Sequence, residues 1–215
     1  LVDRATGRLR YCADDADAPV VGAAGGPARS PVNLLATTIA DELERRTEGR
    51  SRTVGLSIKD RGAILPIGRT GDAAFWFAGG AEGAFVTSRW YADSLPGWMA
   101  AFNARRLAAT YLKGTWDLLL PRERYHQALP DDNPYEIPLS GASAATLPQD
   151  LAVLSGNGAN TGLIGYVPAG NTLLTDAALA AVDGEDMGRD AITDLLAVSY
   201  SSPDLLGHRT GPRAL

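Results

Sequence analysis

The chain has 215 residues, 45% of them hydrophobic and 21% charged, which excludes a disordered, collagen-like or disulfide-stapled protein. Its net charge of −5 at pH 7 argues against a general nucleic-acid or membrane binder. The single cysteine cannot form an internal disulfide. No stretch approaches the ~18 apolar residues of a membrane-spanning helix. The length suits one large domain or two small ones.

Lysine and histidine are rare in this chain, which limits the number of candidate functional residues. Of the 20 basic residues only Lys59 and Lys113 are lysine, and the two histidines are His126 and His208. Because nearly all basic residues are arginine, each lysine raises the question of why arginine would not serve at that position. Any reaction that requires an imidazole has only two candidate residues. His126 lies in an arginine-rich, helix-like stretch, where we expect a surface or packing role.

The first part of the chain alternates between helical and strand patterns. A Gly/Pro-rich loop over residues 13 to 31 leads into a helix, predicted to begin with Ser30 as N-cap and to end at Gly49. Residues 53 to 58 form a short β-rich run that ends in a charged cluster at residues 59 to 61. A helix, a strand and a charged loop in this order are typical of an α/β fold that binds ligands at the carboxyl ends of its strands.

A hairpin and a further helix are predicted in the middle of the chain. Residues 74 to 77 and 84 to 87 are rich in aromatic and β-branched side chains and flank a Gly-rich turn, which indicates two antiparallel strands. An amphipathic helix is predicted to begin at residues 95 to 97 and to carry apolar side chains as far as Tyr111.

A long irregular stretch precedes the last regular elements. Residues 129 to 171 contain many Pro, Gly, Asn and Ser, and a loop of this length in a compact domain is typically functional, such as a lid. Regular structure returns with a helix predicted to begin at Thr175 and to end at Gly184. Residues 195 to 200 are predicted to form a buried strand.

Asp204 and His208 follow this strand at a spacing of four residues. If a helical turn begins at Pro203, the carboxylate and the imidazole lie on one helix face and can share a metal ion such as Zn²⁺. Gly207 would then leave space beside the ion. The alternative is an N-capping aspartate followed by a surface histidine. Two ligands do not complete a zinc site, so the other ligands must come from elsewhere.

A second pair, Lys59 and Arg61, directly follows the run at residues 53 to 58. A compact ammonium and a planar guanidinium that converge on one site suit a phosphoryl group. The two cations would stabilise the charge on its oxygens during transfer. The alternative is a solvated turn in which Asp60 partly balances the two positive charges.

With these residues in place, the sequence resembles the alkaline phosphatase superfamily, in the monomeric bacterial branch often named PafA-like. The resemblance rests on DRATGRLRYC, GLSIKDRGAILPIG, AFWF with FVTSRWYADSLPGWMAAFN, and the segment from GNTLLTD to GHRTGPR. It implies an α/β fold with a mostly parallel sheet and helices on both faces. Residues 1 to 215 would form part of the catalytic domain, with an inserted loop-rich lid at about residues 74 to 171.

The resemblance also implies residue roles and a reaction. In this family two Zn²⁺ ions flank a Thr or Ser nucleophile, which is phosphorylated and then hydrolysed. Asp204 and His208 match the pair that ligates one zinc. Lys59 and Arg61 match the pair that contacts the phosphoryl oxygens in the branch favouring monoesters, which implies catalytic and substrate-binding roles. The expected substrate is a small phosphate ester, without nucleic-acid partner or membrane span, and the expected protein is a periplasmic or secreted monomer.

The nucleophile and the remaining ligands have no match in this chain, so we expect an internal piece of a longer enzyme, inactive alone. Two alternatives stay open: a phosphodiesterase or nucleotide pyrophosphatase of the same superfamily, and a non-catalytic metal- or phosphate-binding protein on the same scaffold. If the resemblance holds, residues 54 to 58 and 195 to 200 run parallel in one sheet. The two pairs should then face each other across about 5–10 Å, with residues 129 to 171 close by.

Overall fold

The computed structural model describes residue 2, residues 4–81 and residues 83–215, and this part of the chain divides into two compact units. The first unit carries the larger sheet and comprises Leu1–Ala78, Ala84–Arg105 and Leu174–Ser199. The second comprises Gly79–Gly83, Arg106–Leu173 and Tyr200–Leu215. Within the described ranges, no helix is both long enough and apolar enough to cross a membrane.

Strands and helices alternate along much of the chain, as the sequence predicts. The strands are β1 (Val20–Val21), β2 (Thr53–Ser57), β3 (Ala73–Ala78), β4 (Ala84–Ser88), β5 (Thr115–Trp116), β6 (Gln149–Asp150) and β7 (Leu195–Ser199). The α-helices are α1 (Ile39–Thr47), α2 (Asp60–Ile64), α3 (Gly97–Ala104), α4 (Leu107–Tyr111), α5 (Leu151–Leu154), α6 (Ala169–Gly184) and α7 (Ser202–Thr210). Short 3₁₀ helices cover Leu65–Ile67, Arg122–Arg124 and Thr161–Tyr166.

Five strands of the described residues form one mixed sheet in the order β1-β4-β3-β2-β7. β2 lies between β3 and β7 and is parallel to both, whereas β4 is antiparallel to β3 and to β1. The β3–β4 pair is the predicted hairpin, with Trp76 opposite Val86. Thr53 lies opposite Leu195, and the register continues to Ser57 and Ser199. The predicted parallel pairing of these two strands is confirmed.

Helices cover both faces of the sheet. Ala74 and Trp76 of β3 belong to a buried cluster with Ile64 of α2. On the other face, the ring of Phe75 meets Trp98 of α3 edge to face, with 5.2 Å between ring centroids. Because successive side chains of a strand point to opposite faces, α2 and α3 lie on opposite sides. Every residue of β2 is buried, as expected for a parallel strand with both faces covered. The predicted α/β class is confirmed.

Two glycines allow α2 to lie directly on the sheet. A Cβ on Gly55 of β2 would lie 2.0 Å from the carbonyl oxygen of Ala63 in α2. A Cβ on Gly62 would lie 2.6 Å from Oγ of Ser57 and 2.9 Å from Oγ of Ser199. Larger side chains at either position would push the helix away. This close contact fixes the first turn of α2 just beyond the end of β2.

The predicted start of the first helix is wrong. The helix begins at Ile39, where Thr38 and Asp41 form a capping box, and not at Ser30. Ser30 is buried and its Oγ accepts a hydrogen bond from the N–H of Val32 at 3.1 Å, within the preceding loop. The carboxyl end agrees with the prediction within two residues, since the helix ends at Thr47.

Two other helix boundaries differ from the prediction. The helix predicted to run on to Tyr111 is divided into α3 and α4, because Arg106 adopts a left-handed backbone conformation with φ of 51°. The helix predicted to begin at Thr175 begins at Ala169, although it ends at Gly184 as predicted. Its first turn includes a glycine and an asparagine, which are weak helix formers and therefore gave no local indication of a start.

The second unit is largely irregular. In its described residues β5 and β6 form a two-stranded antiparallel sheet. Residues 129 to 148, all of which the structure describes, contain no helix or strand, in keeping with the predicted loop. The rest of the stretch predicted as a loop is more regular than expected, because β6, α5, a 3₁₀ helix and the start of α6 lie within it.

Candidate functional site

Lys59 and Arg61 lie at the amino terminus of α2, and not in a loop as the sequence predicted. Lys59 is the N-cap residue and is half-buried, while Arg61 lies in the first turn and is exposed. The Lys59 N–H donates to Oγ of Ser57 at 3.0 Å. Its carbonyl oxygen accepts from the N–H groups of Gly62 at 3.0 Å and Ala63 at 3.2 Å. These bonds fix the backbone that carries both cations at the carboxyl end of β2.

The carboxylate between the two cations has partners from another part of the chain. Asp60 accepts a hydrogen bond from the Tyr11 hydroxyl and one from Nε of Arg29 at 2.5 Å. Arg29 also pairs with Asp14, and the side chains of Arg29 and Asp60 are only 13% and 16% exposed. Arg29 therefore offsets part of the charge of Asp60, since its single positive charge is shared with Asp14. The alternative in which Asp60 partly balances Lys59 and Arg61 stays open, although Asp60 itself is largely buried.

Tyr11 connects Arg61 to this ion pair. Nη1 of Arg61 donates to the Tyr11 hydroxyl oxygen at 3.1 Å, and the hydroxyl in turn donates to Asp60. Burial, reinforced by the hydrogen bond to Asp60, raises the pKa of Tyr11 to about 12. The hydrogen bond with Tyr11 raises the pKa of Arg61. At neutral pH the tyrosine is therefore a neutral donor, and the arginine is charged.

Sequence reasoning missed Tyr11 and Arg29. Tyr11 lies 49 residues before Asp60, and Arg29 lies 31 residues before it, so no local spacing links them. Tyr11 does fall within the quoted DRATGRLRYC segment, which is the one indication that could have pointed to it.

Asp204 and His208 lie on one face of α7, as the spacing predicts. Pro203 is in the first turn of this helix, and Nε2 of His208 lies 3.5 Å from Oδ1 of Asp204. The two side chains are 57% and 77% exposed, so both can reach a shared ligand. Among the residues that the structure describes, no group of three or more His, Cys, Asp or Glu side chains could hold a metal ion. The structure therefore offers two donors here.

The space beside Gly207 is open, since a Cβ built on this glycine would meet no described atom within 4 Å. Its expected role, to leave space beside a metal ion, stays a prediction.

The irregular stretch at residues 129 to 138 is tied to α7 and the residues after it. The Ile137 N–H donates to the carbonyl oxygen of Arg209 at 2.9 Å, and the Leu129 N–H donates to that of Arg213 at 2.8 Å. The Arg209 guanidinium donates to the carbonyl oxygen of Pro138 and lies 5.7 Å from the centroid of the Tyr166 ring. The loop therefore holds the helix that carries Asp204 and His208.

The two pairs belong to different units. Lys59 and Arg61 are in the first, and Asp204 and His208 are in the second. Their expected separation of about 5–10 Å stays a prediction, as do the lid boundaries at residues 74 to 171. His126 is exposed, in line with the surface role expected for it.

No protein-family model matches the chain. It is 38% identical over 214 residues to "Alkaline phosphatase PhoV" of Synechococcus elongatus, and the match covers 99% of this chain and 38% of that protein. It is 40% identical over 209 residues to a protein of Myroides odoratus named "Calcium-transporting ATPase", covering 96% of this chain and 38% of the relative. The chain thus spans about two fifths of the length of the curated relatives it matches.

Solved structures of alkaline phosphatase PafA have the same fold. The wild-type crystal structure matches with a TM-score of 0.90 and 38% sequence identity, over 95% of this chain and 39% of that chain. A PafA variant matches with a TM-score of 0.90 and 36% identity, over 96% of this chain and 40% of the variant. In that variant a threonine is changed to serine, and an asparagine, a lysine and an arginine are changed to alanine. Over the two fifths of these relatives that it spans, the chain is an alkaline-phosphatase-like segment with the PafA fold.

Proposed function

We propose that the full-length protein containing this chain is a zinc-dependent phosphatase that hydrolyses phosphate monoesters through a phosphorylated Thr or Ser. The observation that carries the proposal is the placement of Lys59 and Arg61 at the first turn of α2, directly beyond β2, where Asp60 between them is paired with Arg29. Ligands of open α/β sheets gather beyond the carboxyl ends of the strands. Two cations held there match the charge of a phosphoryl group.

The relatives support this assignment of the cationic pair. The lysine and the arginine replaced in the PafA variant stand two positions apart, which is the spacing of Lys59 and Arg61. A bound monoester presents one more anionic oxygen than a diester. Lys59 would act as a point charge and Arg61 as a planar donor of two parallel hydrogen bonds. Both would stabilise negative charge on the oxygens during transfer.

Asp204 and His208 fit part of a zinc ligand set. A carboxylate oxygen and an imidazole nitrogen are donors that Zn²⁺ accepts, and here they lie exposed on one helix face. When bound, zinc supplies Lewis acidity toward the phosphoryl oxygens. A stable site needs about four donors, so in the proposed enzyme the others come from residues beyond this chain. The same resemblance supports two zinc ions, a monomeric state and a periplasmic or secreted location.

A second candidate is hydrolysis of a nucleoside triphosphate, favoured by the name of the relative from Myroides odoratus. The terminal phosphoryl group of such a substrate carries the same charge pattern as a monoester and suits the same pair of cations. A phosphodiester substrate lacks that pattern. Initial rates with an aryl phosphate, an aryl phosphodiester and ATP rank the three substrate classes.

The test of the proposal is the substrate dependence of Lys59→Ala and Arg61→Ala in the full-length protein. Loss of one charge-assisted donor at a phosphoryl site costs about 2.7–4 kcal/mol, so kcat/KM for the aryl phosphate should fall by roughly 10²–10³. The fall for a diester should be smaller. Lys113→Ala is the matched control, because Lys113 is the other lysine of the chain and is exposed. Equal losses for monoester and diester would contradict the monoester assignment.

A further inference from the structure

Tyr11 contacts three charged side chains at once. Its hydroxyl donates to Asp60 and accepts from Nη1 of Arg61 at 3.1 Å. The Arg29 guanidinium lies over its ring, 4.5 Å from the centroid, and the Arg61 guanidinium carbon lies 5.9 Å from the same centroid. Arg61 is itself exposed, so these contacts with Tyr11 limit the orientations of its guanidinium.

The direction of these hydrogen bonds is determined by chemistry. An ionised carboxylate only accepts, so the single hydroxyl proton of Tyr11 points to Asp60. The lone pairs of the hydroxyl oxygen then face Arg61, whose guanidinium only donates. Asp60 is held by Arg29, and both of those side chains are largely buried. The acceptor offered to Arg61 therefore has a fixed position.

We propose that Tyr11 is a positioning residue that orients the Arg61 guanidinium toward the phosphoryl group, supported by the Arg29–Asp60 ion pair. The inference rests on the proposed function, because it assigns Arg61 to the phosphoryl oxygens. Arginine recognises a phosphoryl group through a planar pair of N–H donors. The hydrogen bond from one N–H group of Arg61 to Tyr11 fixes the orientation of the guanidinium plane. The other N–H groups of the guanidinium can then donate to the substrate. Tyr11 itself does not contact the reacting atoms.

The test is a double-mutant cycle between Tyr11→Phe and Arg61→Ala in the full-length enzyme. Phenylalanine keeps the ring beneath Arg29 and removes only the hydroxyl. We expect kcat/KM for an aryl phosphate to fall about tenfold in Tyr11→Phe, the loss expected for one hydrogen bond to a charged group. In the Arg61→Ala background the same change should have no further effect. Tyr135→Phe is the control, because Tyr135 is 87% exposed, and it should leave the rate unchanged.

Inhibition by inorganic phosphate provides a second measurement that does not depend on the folded fraction. The inhibition constant should rise about tenfold in Tyr11→Phe and should show the same coupling to Arg61. If Tyr11→Phe lowers the rate equally with and without Arg61, Tyr11 acts on the fold alone and the positioning role is overturned. If Arg61→Ala leaves both the rate and phosphate inhibition unchanged, the assignment of Arg61 to the phosphoryl group fails as well.

Discussion

Asp41 is the side chain whose removal should most directly test how the first unit is held together. It is buried, and its Oδ2 accepts from the N–H of Thr38 at 2.8 Å. Its Oδ1 accepts from the N–H groups of Arg69 at 2.8 Å and Thr70 at 2.9 Å, and from the Thr70 hydroxyl at 2.9 Å. Gly68 leaves the space for it, since a Cβ there would lie 2.0 Å from Oδ2. One carboxylate thus joins the start of α1 to the turn before β3.

The cost of Asp41→Ala follows from the donors that it leaves unpaired. Three backbone N–H groups lose their acceptor, and each costs about 1–3 kcal/mol when it stays buried. Water can reach the exposed residues Arg69 and Thr70, so we expect a total loss of about 3–5 kcal/mol of unfolding free energy. For a protein of this size such a loss lowers Tm by roughly 6–20 °C.

The pH dependence of this contribution has a defined sign. Burial raises the pKa of Asp41, but the hydrogen bonds from Thr38, Thr70 and Arg69 outweigh it and leave the pKa below its ordinary 3.8. Because the pKa of Asp41 is lower in the folded protein, its stabilising effect is fully present at a pH above the pKa of the unfolded state. The effect is lost as the pH falls through the pKa of the folded state. The difference between wild type and Asp41→Ala should therefore be full at pH 7 and should shrink below pH ~4.

Urea unfolding of the purified protein at pH 7 measures this difference. Glu42→Ala is the matched control, because Glu42 is the next residue of α1, is exposed, and forms a surface ion pair with Arg45. The control should leave the unfolding free energy nearly unchanged, because an exposed ion pair contributes little to stability. A loss below about 1 kcal/mol for Asp41→Ala would refute the reasoning, since it would mean that water replaces the carboxylate at every donor.

Two further predictions concern acidity and metal binding. Burial raises the pKa of Glu44, and the nearby Asp72 adds to this effect, although the hydrogen bond from Thr53 opposes it. The stability that Glu44 contributes is therefore present below its unfolded pKa of ~4.5, and it is lost as the pH rises through the raised pKa of the folded protein. The unfolding free energy of Glu44→Gln, compared with that of wild type, should therefore increase as the pH rises from 4 to 8. A difference between the two proteins that stays constant over this range would contradict this prediction. The isolated 215-residue chain should bind zinc weakly through Asp204 and His208 and should not turn over an aryl phosphate, as calorimetry and a phosphatase assay would show.

The parts of the fold that the sequence predicted are those with local patterns. The strands at residues 53 to 57 and 195 to 199 are short runs rich in aliphatic side chains, and the β3–β4 hairpin has a Gly-rich turn between aromatic segments. Helix starts were harder. α2 has five residues and no side-chain cap, so in the sequence its first turn cannot be distinguished from a charged loop. The close packing of Gly62 against the sheet is visible only in the structure.

The candidate site was predictable only where chemistry and spacing coincide. Lys59 stands out because lysine is rare in this chain, and Asp204 and His208 stand out because four residues make one helical turn. Tyr11 and Arg29 reach Asp60 through the tertiary fold from 49 and 31 residues away. Such long-range contacts produce no periodic pattern in the sequence. A resemblance to a family identifies a segment, but it does not indicate which side chains of that segment are in contact.

In the proposed function, this chain contributes the phosphoryl-binding cations and part of a zinc site to a full-length phosphomonoesterase. The most direct measurement is turnover of an aryl phosphate by the full-length protein before chelation, after complete metal removal, and after addition of Zn²⁺. Turnover should be lost with the metal and return with zinc, and His208→Ala should weaken this recovery. Turnover that survives complete metal removal would contradict it.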